Sequence, residues 1–426
     1  MIDINLLRND KNKVMQMMKN RSEDIDLDII LDLDKSRRNL IQIVDDLRSK
    51  RNTVSKEIAQ MQEKPQDLIE EMRQVSENIK ETEEKIRTNE QELHLKLLEI
   101  PNILEDDILI GHDESENKVI HTWGNPVQYD FTPKPHWEIN EALNIIDFAA
   151  GVKISGSRFF ILRGQGAKLE RALINWMLDK HTNHNNFEEI QVPALVKQET
   201  MIGSGNLPKF EENLYRDIDD DLWLIPTAEV PLTSIHHDDI LNMNDLPKYY
   251  VSYSPSFRKE KTSAGRDTRG IKRVHQFNKV ELYKIVPPET SKSELHSLIE
   301  IVENLLQDLG LHYRLLELCS SDIGFQSAQS FDLEVWAPGS EEWLEVSSCS
   351  NCLDFQSRRA NIKFKRDQKS RTEYPHTLNG SALALPRIMI SILETFQKTD
   401  GSVSIPEVLH KYTGFTEIKP STPNNL

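Results

Sequence analysis

The stretch that decides the fold reads FRKEKTSAGRDTRGIKRVHQFNKVE and occupies residues 257–281. Residues 249–257 and 274–285, at its two ends, are rich in aromatic and β-branched side chains, which is typical of strands. The segment between them carries the cations Arg258, Lys259, Lys261, Arg266, Arg269, Lys272 and Arg273, with Gly265 and Gly270 as pivots. A polyanion is the natural complement of such a loop. The pattern predicts a cation-rich β-hairpin.

Two carboxylates stand at the ends of this hairpin, Glu260 and Glu281. Cations combined with carboxylates can hold a phosphate chain, its metal ion and an ammonium group together. Taken alone, the stretch leaves a second interpretation open, in which it is a solvated charged hairpin without a ligand.

Length and composition limit the classes of protein that fit. With 426 residues the chain predicts two domains. No apolar run reaches membrane-spanning length, and the N-terminus lacks the pattern of a secretory signal, so we expect no membrane association. Cys319, Cys349 and Cys352 are too few for a disulfide scaffold, which indicates a reducing compartment, the cytoplasm. Cys349 and Cys352 have the spacing of one ligand pair of a zinc site, but the sequence has no second pair, and we interpret them as buried thiols.

The N-terminal segment has the apolar periodicity of a coiled coil. Apolar residues recur in alternating steps of three and four over residues 33–61 and again over 68–93, with a break at Pro65. Two helices of this kind joined by a short turn predict an antiparallel hairpin of roughly 50 Å. Periodicity alone fits a dimerisation coiled coil as well as an arm that grips RNA. The net charge of −17 means that RNA contacts would depend on local basic clusters.

The remaining segments predict a mixed α and β domain. We expect an N-terminal domain over residues 1–108, a linker over 109–135, a mixed α and β domain over 136–417 and a disordered tail over 418–426. Within the third segment, the sequence predicts helices over 168–181 and 291–309, and strands over 311–318, 330–336 and 342–348. Residues 377–396 predict a helix that Asn379 or Ser381 caps, with Arg387 in its first turns.

Several of these segments contain sequence motifs that are typical of one protein family. They are Arg258-x-Glu260, SAGRDTRG (263–270), HQFNKVE (275–281), GSGNLPKF (203–210), LWLIPTAEVPLT (222–233) and TLNGSALALPR (377–387). The sequence resembles the bacterial-type seryl-tRNA synthetases, which are class II aminoacyl-tRNA synthetases, and the likeness covers nearly the whole chain. It implies an α+β fold: a class II catalytic domain on an antiparallel sheet, preceded by the coiled-coil hairpin as a tRNA-binding arm.

The resemblance also implies a reaction and its partners. L-serine and ATP would form seryl-adenylate, and the serine would then pass to the 3′ end of serine tRNA, with selenocysteine tRNA as a further acceptor where it is present. ATP and Mg²⁺ are the implied cofactors, and the implied assembly is a homodimer.

Site residues follow from the same resemblance. Arg258 and Arg387 would be catalytic, gripping the α- and γ-phosphates. The serine-binding set is Thr227, Ala228, Glu229, Glu281 and Ser381. The ATP-binding set is Arg258, Lys259, Glu260, Val274, Phe277, Glu345, Val346, Ser347, Ser348 and Arg387. Magnesium would be held with ATP by Glu345 and Ser348. The tRNA-binding set is Arg37, Arg38, Arg48, Lys50 and Arg51.

Two other functions compete with this one. A ligase that loads serine onto a carrier protein would share the chemistry, but a small acceptor needs no long N-terminal arm. A non-catalytic binding protein with a vestigial synthetase domain would have no need to keep Arg258, Glu281 and Arg387 together.

Overall fold

The computed structural model describes residues 1–62, 65–261 and 269–421. The chain forms two compact units, one spanning Ile2–Pro101 and the other Asn102–Leu426 together with Met1. The first unit therefore ends earlier than residue 108, the boundary expected from the sequence. Its helices are α1 (Ile4–Asn9), α2 (Lys11–Asn20), α3 (Leu27–Gln60) and α4 (Gln66–Leu98).

Helices α3 and α4 pack against each other along the predicted apolar seam. Val44 of α3 is buried with Met72, Val75 and Ile79 of α4, and Leu47, Val54, Ile58 and Ile86 pack around them. The prediction of two long paired helices is confirmed, and Pro65 stands immediately before α4. Helix α3 starts earlier than the heptads indicate because the Asp26 side chain accepts a hydrogen bond from the Asp28 N–H and caps it.

The second unit mixes helices with short and long strands. Its helices are α5 (His136–Leu143), α6 (Phe148–Ser155), α7 (Gly164–His184), α8 (Gln198–Ser204), α9 (Glu229–Ser234), α10 (Ser291–Asp308), α11 (Phe355–Arg359), α12 (Leu385–Thr395) and α13 (His410–Thr413). Its strands are β1 (Lys118–Trp123), β2 (Ile146–Asp147), β3 (Ile161–Leu162), β4 (Glu188–Glu189), β5 (Leu195–Lys197), β6 (Leu222–Leu224), β7 (Ile240–Asn242), β8 (Lys248–Phe257), β9 (Gln276–Val286), β10 (Tyr313–Glu317), β11 (Gln329–Ala337), β12 (Glu342–Asn351), β13 (Lys363–Lys365), β14 (His376–Ala384), β15 (Val403–Ser404) and β16 (Glu417–Ile418).

One sheet organises the second unit. Among the described residues it has eight strands in the order β1-β10-β11-β12-β14-β9-β8-β4. Every neighbouring pair is antiparallel except β4 and β8, which run parallel at one edge. Helices α7, α10 and α12 pack against the sheet and enclose a large apolar core. The predicted α+β fold on an antiparallel sheet is confirmed.

The cation-rich stretch is a β-hairpin, as predicted. Strands β8 and β9 pair in antiparallel register from Lys248 opposite Ile285 to Phe257 opposite Gln276. Residues 262–268 of the connecting loop, with Arg266 and Gly265, lie outside the described part of the chain.

Three sequence predictions differ from the structure. The segment predicted as a linker contains β1, which pairs with β10 at the sheet edge. Asn379 and Ser381 cap no helix, because they lie in β14, and α12 begins only at Leu385. The predicted tail is ordered at its start: β16 pairs with β15, and the Ser421 N–H donates to the Ala142 carbonyl at 2.9 Å.

In all three segments, contacts with partners far along the chain outweigh the conformational preference of the local sequence. Strand β14 sits between β12 and β9, so its backbone groups are satisfied by two neighbours. None of the helices in the described part of the chain is long and apolar enough to cross a bilayer.

Candidate active site

A cavity of about 770 Å³ opens where the central strands of the main sheet meet the start of α9. The predicted residues that line it are Thr227, Glu229, Arg258, Glu281, Glu345, Ser348, Ser381 and Arg387. A second, smaller cavity of about 60 Å³ shares Arg258, Glu345, Ser381 and Arg387 with the first. Glu260, Val274 and Phe277 line the smaller cavity. The structure thus brings most of the predicted residues together around two adjoining spaces.

A β-bulge in β12 places two of the predicted side chains on the face of the strand that lines the cavity. Glu334 pairs with Glu345 and Leu333 pairs with Ser347, so Val346 is an extra residue in β12. Side chains alternate along a regular strand, and residues three apart would face opposite sides. The bulge shifts this alternation, so that Glu345 and Ser348 both line the cavity.

A comparable irregularity lies in β14, next to the hairpin. Glu281 is paired with Ser381, and Val280 with Leu383, which leaves Ala382 as the extra residue. Glu281 and Ser381 therefore stand opposite each other on neighbouring strands and line the same cavity.

Glu281 is a buried carboxylate with two partners. The Thr227 hydroxyl donates to its Oε2 at 2.7 Å, and the Lys279 ammonium forms an ion pair with the same oxygen. Lys279 lies two residues before Glu281 on β9, and the two side chains are 8% and 2% exposed. A buried charge is tolerated when it is paired and hydrogen-bonded, as it is here.

Glu229 is a second buried carboxylate in the same wall. Its Oε1 accepts hydrogen bonds from Gln356 Nε2 at 2.6 Å and Asn379 Nδ2 at 3.2 Å. Burial, followed by the nearby negative charge of Glu281, raises the pKa of Glu229 to about 7. A cation bound beside this carboxylate would favour its ionised form, because opposite charges attract.

Arg258 stands at the end of β8, between the two cavities. The Arg258 guanidinium lies 5.2 Å from the centre of the Phe277 ring, and the backbone N–H of Arg258 donates to the His275 carbonyl at 2.9 Å. Burial lowers the pKa of Arg258, while Glu260 acts in the opposite direction. A guanidinium held on an aromatic face in this way is preorganised for an anion.

The second predicted arginine comes from helix α12. Arg387 Nη1 donates to the Glu345 carbonyl oxygen at 2.7 Å and lies 3.3 Å from the Glu345 carboxylate. It is the third residue of the helix, as the sequence predicted for its first turns. The two arginines therefore enter the cavity from different elements.

Sequence reasoning missed several residues of the cavity. Asp332 pairs with Ser348 across β11 and β12, and its Oδ1 is buried without a hydrogen-bond partner. Burial, followed by Glu345, raises the pKa of Asp332 well above its ordinary value. Lys279 lines both cavities. Its position two residues from Glu281, on the same strand face, was the signal that could have identified it.

Four residues of the predicted serine- and ATP-binding sets line neither cavity. Ala228 and Val346 are fully buried, the first in the apolar cluster beside α9 and the second at the β12 bulge. Ser347 donates its hydroxyl hydrogen to the Ser381 carbonyl at 2.6 Å. The Lys259 ammonium lies 5.5 Å from the centre of the Tyr215 ring. These residues border the site rather than face it.

The basic residues of α3 that we assigned to tRNA have acidic neighbours on the same hairpin. Arg37 lies 3.5 Å from Glu90, and Arg38 lies 3.1 Å from the buried Asp34. Arg48 is bonded to Glu83 at 2.7 Å and Lys50 to Glu71 at 2.6 Å, whereas Arg51 is half-buried. The pairs made by Arg48 and Lys50 are exposed on both sides and therefore weak, so a phosphate can compete for these two cations.

Comparison with known proteins places this geometry in a family. Residues 1–104 match the seryl-tRNA synthetase N-terminal domain, and residues 209–396 match the class II tRNA synthetase core domain of the G, H, P, S and T type. The serine–tRNA ligase of Dehalococcoides mccartyi is 49% identical over 98% of this chain and 100% of its own length. That of Thermomicrobium roseum is 50% identical over 97% of this chain and 94% of its own.

A solved structure agrees with these relatives. The seryl-tRNA synthetase of Pyrococcus horikoshii, complexed with ATP, superposes with a TM-score of 0.93 at 36% identity, covering 99% of this chain and 100% of that one. The two matched domains together cover residues 1–104 and 209–396 of this chain. The chain belongs to the seryl-tRNA synthetase family.

Proposed function

We propose that the chain is an ATP-dependent serine–tRNA ligase that forms seryl-adenylate and then transfers serine to the 3′ end of its tRNA. One observation carries the proposal. A single cavity joins a buried acidic subsite, made by Thr227, Glu229 and Glu281, to two arginines, Arg258 and Arg387. The acidic side suits an ammonium and a hydroxyl group, and the arginines suit phosphates.

Serine occupies the acidic subsite in this proposal. Glu229 receives the ammonium group, because both amide donors bind its Oε1 and leave Oε2 for the substrate. Glu281, Thr227 and Ser381 bond the serine hydroxyl. Alanine would leave these buried groups unpaired, and discrimination of about ten-thousandfold is attainable in such sites.

ATP extends from the acidic subsite into the smaller cavity. Adenine stacks on Phe277, beside Glu260 and Val274, which line that space. Arg258 binds the α-phosphate and Arg387 the leaving pyrophosphate. Both guanidinium groups line both cavities, where they can meet a phosphate chain that passes from one to the other.

Glu345 and Ser348 fit a magnesium ion that arrives with ATP. Asp332 is paired with Ser348 across the sheet, and its Oδ1 is buried without a hydrogen-bond partner. This arrangement supports the binding of a cation here. Among the described residues, no three acidic, histidine or cysteine side chains form a complete metal site, in keeping with an ion that takes its remaining ligands from phosphate and water. When bound, the ion would neutralise phosphate charge.

The chemistry requires no protein nucleophile. A carboxylate oxygen of serine attacks the α-phosphorus, the bond to the β-phosphate oxygen breaks, and pyrophosphate leaves. Arg258 stabilises the charge that develops on the α-phosphate, while Glu229 and Glu281 hold the attacking serine in line. A hydroxyl of the terminal ribose of tRNA then attacks the serine carbonyl carbon, the bond from that carbon to the phosphate oxygen breaks, and AMP and the hydroxyl proton are released.

The hairpin of α3 and α4 grips tRNA through Arg37, Arg38, Arg48, Lys50 and Arg51, and selenocysteine tRNA is a second acceptor. The assembly is a homodimer. All three cysteines are buried thiols, which supports a reducing compartment, and we assign the chain to the cytoplasm.

Exchange of labelled pyrophosphate into ATP tests the proposal, with serine, alanine, threonine and glycine in parallel, followed by tRNA as acceptor. We expect exchange with serine alone and subsequent charging of tRNA. Exchange without charging would favour a carrier-protein ligase. If none of the four amino acids supported exchange, the result would contradict the proposal and favour a binding protein.

A further inference from the structure

A buried carboxylate outside the cavity connects three elements of the catalytic unit. Glu394 of α12 is 0% exposed, and its Oε1 accepts from the His136 N–H at 3.0 Å and from the Ser340 hydroxyl at 2.8 Å. Its Oε2 accepts from the N–H groups of Gly339 and Ser340 at 3.0 and 2.9 Å. The mechanism described above uses none of these groups.

The ring of His136 joins this carboxylate to the cation-rich hairpin. The Ile271 N–H donates to His136 Nε2 at 3.2 Å, which makes Nε2 an acceptor. The ring hydrogen therefore lies on Nδ1, which donates to Glu394 Oε1 at 2.9 Å. Each ring nitrogen has one defined role, and both contacts are buried.

The hairpin backbone approaches the ring closely at this point. Gly270 has φ of +73°, and a Cβ built on it would lie 1.9 Å from His136 Nε2. Any side chain at this position would expel the ring, so the contact depends on glycine. Ile271, the next residue, is fully buried.

The residues after this contact form a wall of the site. Lys272, Arg273 and Val274 line the smaller cavity, which is the proposed nucleotide space. Arg387 also lines this cavity, and it belongs to the same helix as Glu394. The contact from Ile271 through His136 to Glu394 thus connects residues 272–274 to the helix that carries Arg387.

We propose that His136 is a positioning residue for nucleotide binding: through its Nε2 it fixes residues 270–274 relative to α12. The inference rests on the proposed function, because it assigns the smaller cavity to ATP. The serine subsite is positioned by other contacts, since Thr227 and Glu229 lie at the start of α9. Loss of the Nε2 contact alone should therefore weaken the binding of ATP and leave the binding of serine unchanged.

Two substitutions separate the two ring nitrogens. In His136→Asn the amide N–H takes the place of Nδ1–H and keeps the bond to Glu394, but nothing accepts from Ile271. In His136→Gln the amide oxygen takes the place of Nε2 and keeps the bond to Ile271, but the donor to Glu394 is lost. Each variant is thus the control for the other.

We expect His136→Asn to raise the KM for ATP roughly three- to tenfold, the range for one neutral buried hydrogen bond, with the KM for serine unchanged. Hydrogen exchange in the peptide covering residues 270–274 should be faster than in the wild-type protein. His136→Gln should keep the KM for ATP within about twofold and unfold at a lower urea concentration than His136→Asn.

Equal ATP KM values in the wild-type protein and His136→Asn, with unchanged exchange in that peptide, would overturn the inference. So would an equal rise in the KM for ATP and serine, which a general loss of structure would produce. These outcomes require an active wild-type protein. Absence of serine-dependent exchange in the wild-type protein would instead overturn the proposed function, while hydrogen exchange would still report on the contact itself.

Discussion

Replacing Glu229 with glutamine tests the acidic subsite, because the substitution keeps the shape of the side chain and removes its charge. The glutamine carbonyl oxygen can still accept from Gln356 and Asn379, as Glu229 Oε1 does. The atom that would meet the serine ammonium changes from an acceptor oxygen to an amide nitrogen. A hydrogen bond to a charged group contributes about 1.5–3 kcal/mol, so we expect the KM for serine to rise roughly 10- to 150-fold.

The same substitution should stabilise the protein in the absence of substrates. Burial raises the pKa of Glu229 from 4.5 to about 7. Between these two pH values the folded chain holds a proton that the unfolded chain has released, so stability falls as the pH rises through this window and is constant above it. The difference between the folded and unfolded pKa of Glu229 corresponds to roughly 3 kcal/mol of unfolding free energy, at 1.36 kcal/mol per pH unit. At pH 8 the Glu229→Gln protein should be more stable than the wild-type protein by about this amount.

Steady-state kinetics of pyrophosphate exchange measures the KM for serine, and urea unfolding measures the stability of the protein without substrates. Glu199→Gln is the matched control, because Glu199 is exposed on α8 and should change neither quantity. At pH 8 the Glu229→Gln protein should unfold at a higher urea concentration than the wild-type protein, and the difference should vanish near pH 4. An unchanged KM for serine, or a variant that is less stable at pH 8, would refute the assignment of Glu229 as a strained ammonium-binding carboxylate.

Three further predictions follow from the same site and fold. Arg258→Ala should lower serine-dependent pyrophosphate exchange about a hundredfold or more, since it removes a donor that stabilises charge on the α-phosphate; near-normal exchange would count against this role. In the wild-type protein the KM for serine should rise about tenfold per pH unit below 7, because a proton on Glu229 competes with the ammonium group; a KM that is flat from pH 6 to 8 contradicts this. Ile79→Ala should destabilise the hairpin of α3 and α4 by about 2–5 kcal/mol and slow tRNA charging while leaving exchange intact; parallel loss of both activities would show that the arm supports the catalytic unit.

The elements that sequence alone could predict are those with strong local pattern. The paired helices follow from the apolar steps that bury Val44, Met72, Val75 and Ile79. The hairpin of β8 and β9 follows from aromatic and β-branched strands around a charged loop. Arg258, Glu281 and Arg387 were identified because a family resemblance gave each a position, and the structure gathers them around one cavity.

The features that sequence could not predict depend on partners distant in the chain. Residues 377–384 have turn and cap residues, yet they form a central strand because β12 and β9 both pair with it. The bulge at Val346, which turns both Glu345 and Ser348 toward the cavity, has no local signature. Gln356 and His136 act through hydrogen bonds to residues more than 100 positions away.

The central claim is that serine and ATP meet in one cavity, and the binding of a stable seryl-adenylate analogue tests it most directly. In such an analogue a sulfamoyl group replaces the phosphate between serine and adenosine, so that it spans both subsites at once. We expect competition with both serine and ATP, an inhibition constant at least about a hundredfold below the KM for serine, and much weaker binding to Glu229→Gln. An analogue that binds no more tightly than AMP, or competes with only one substrate, would contradict the account.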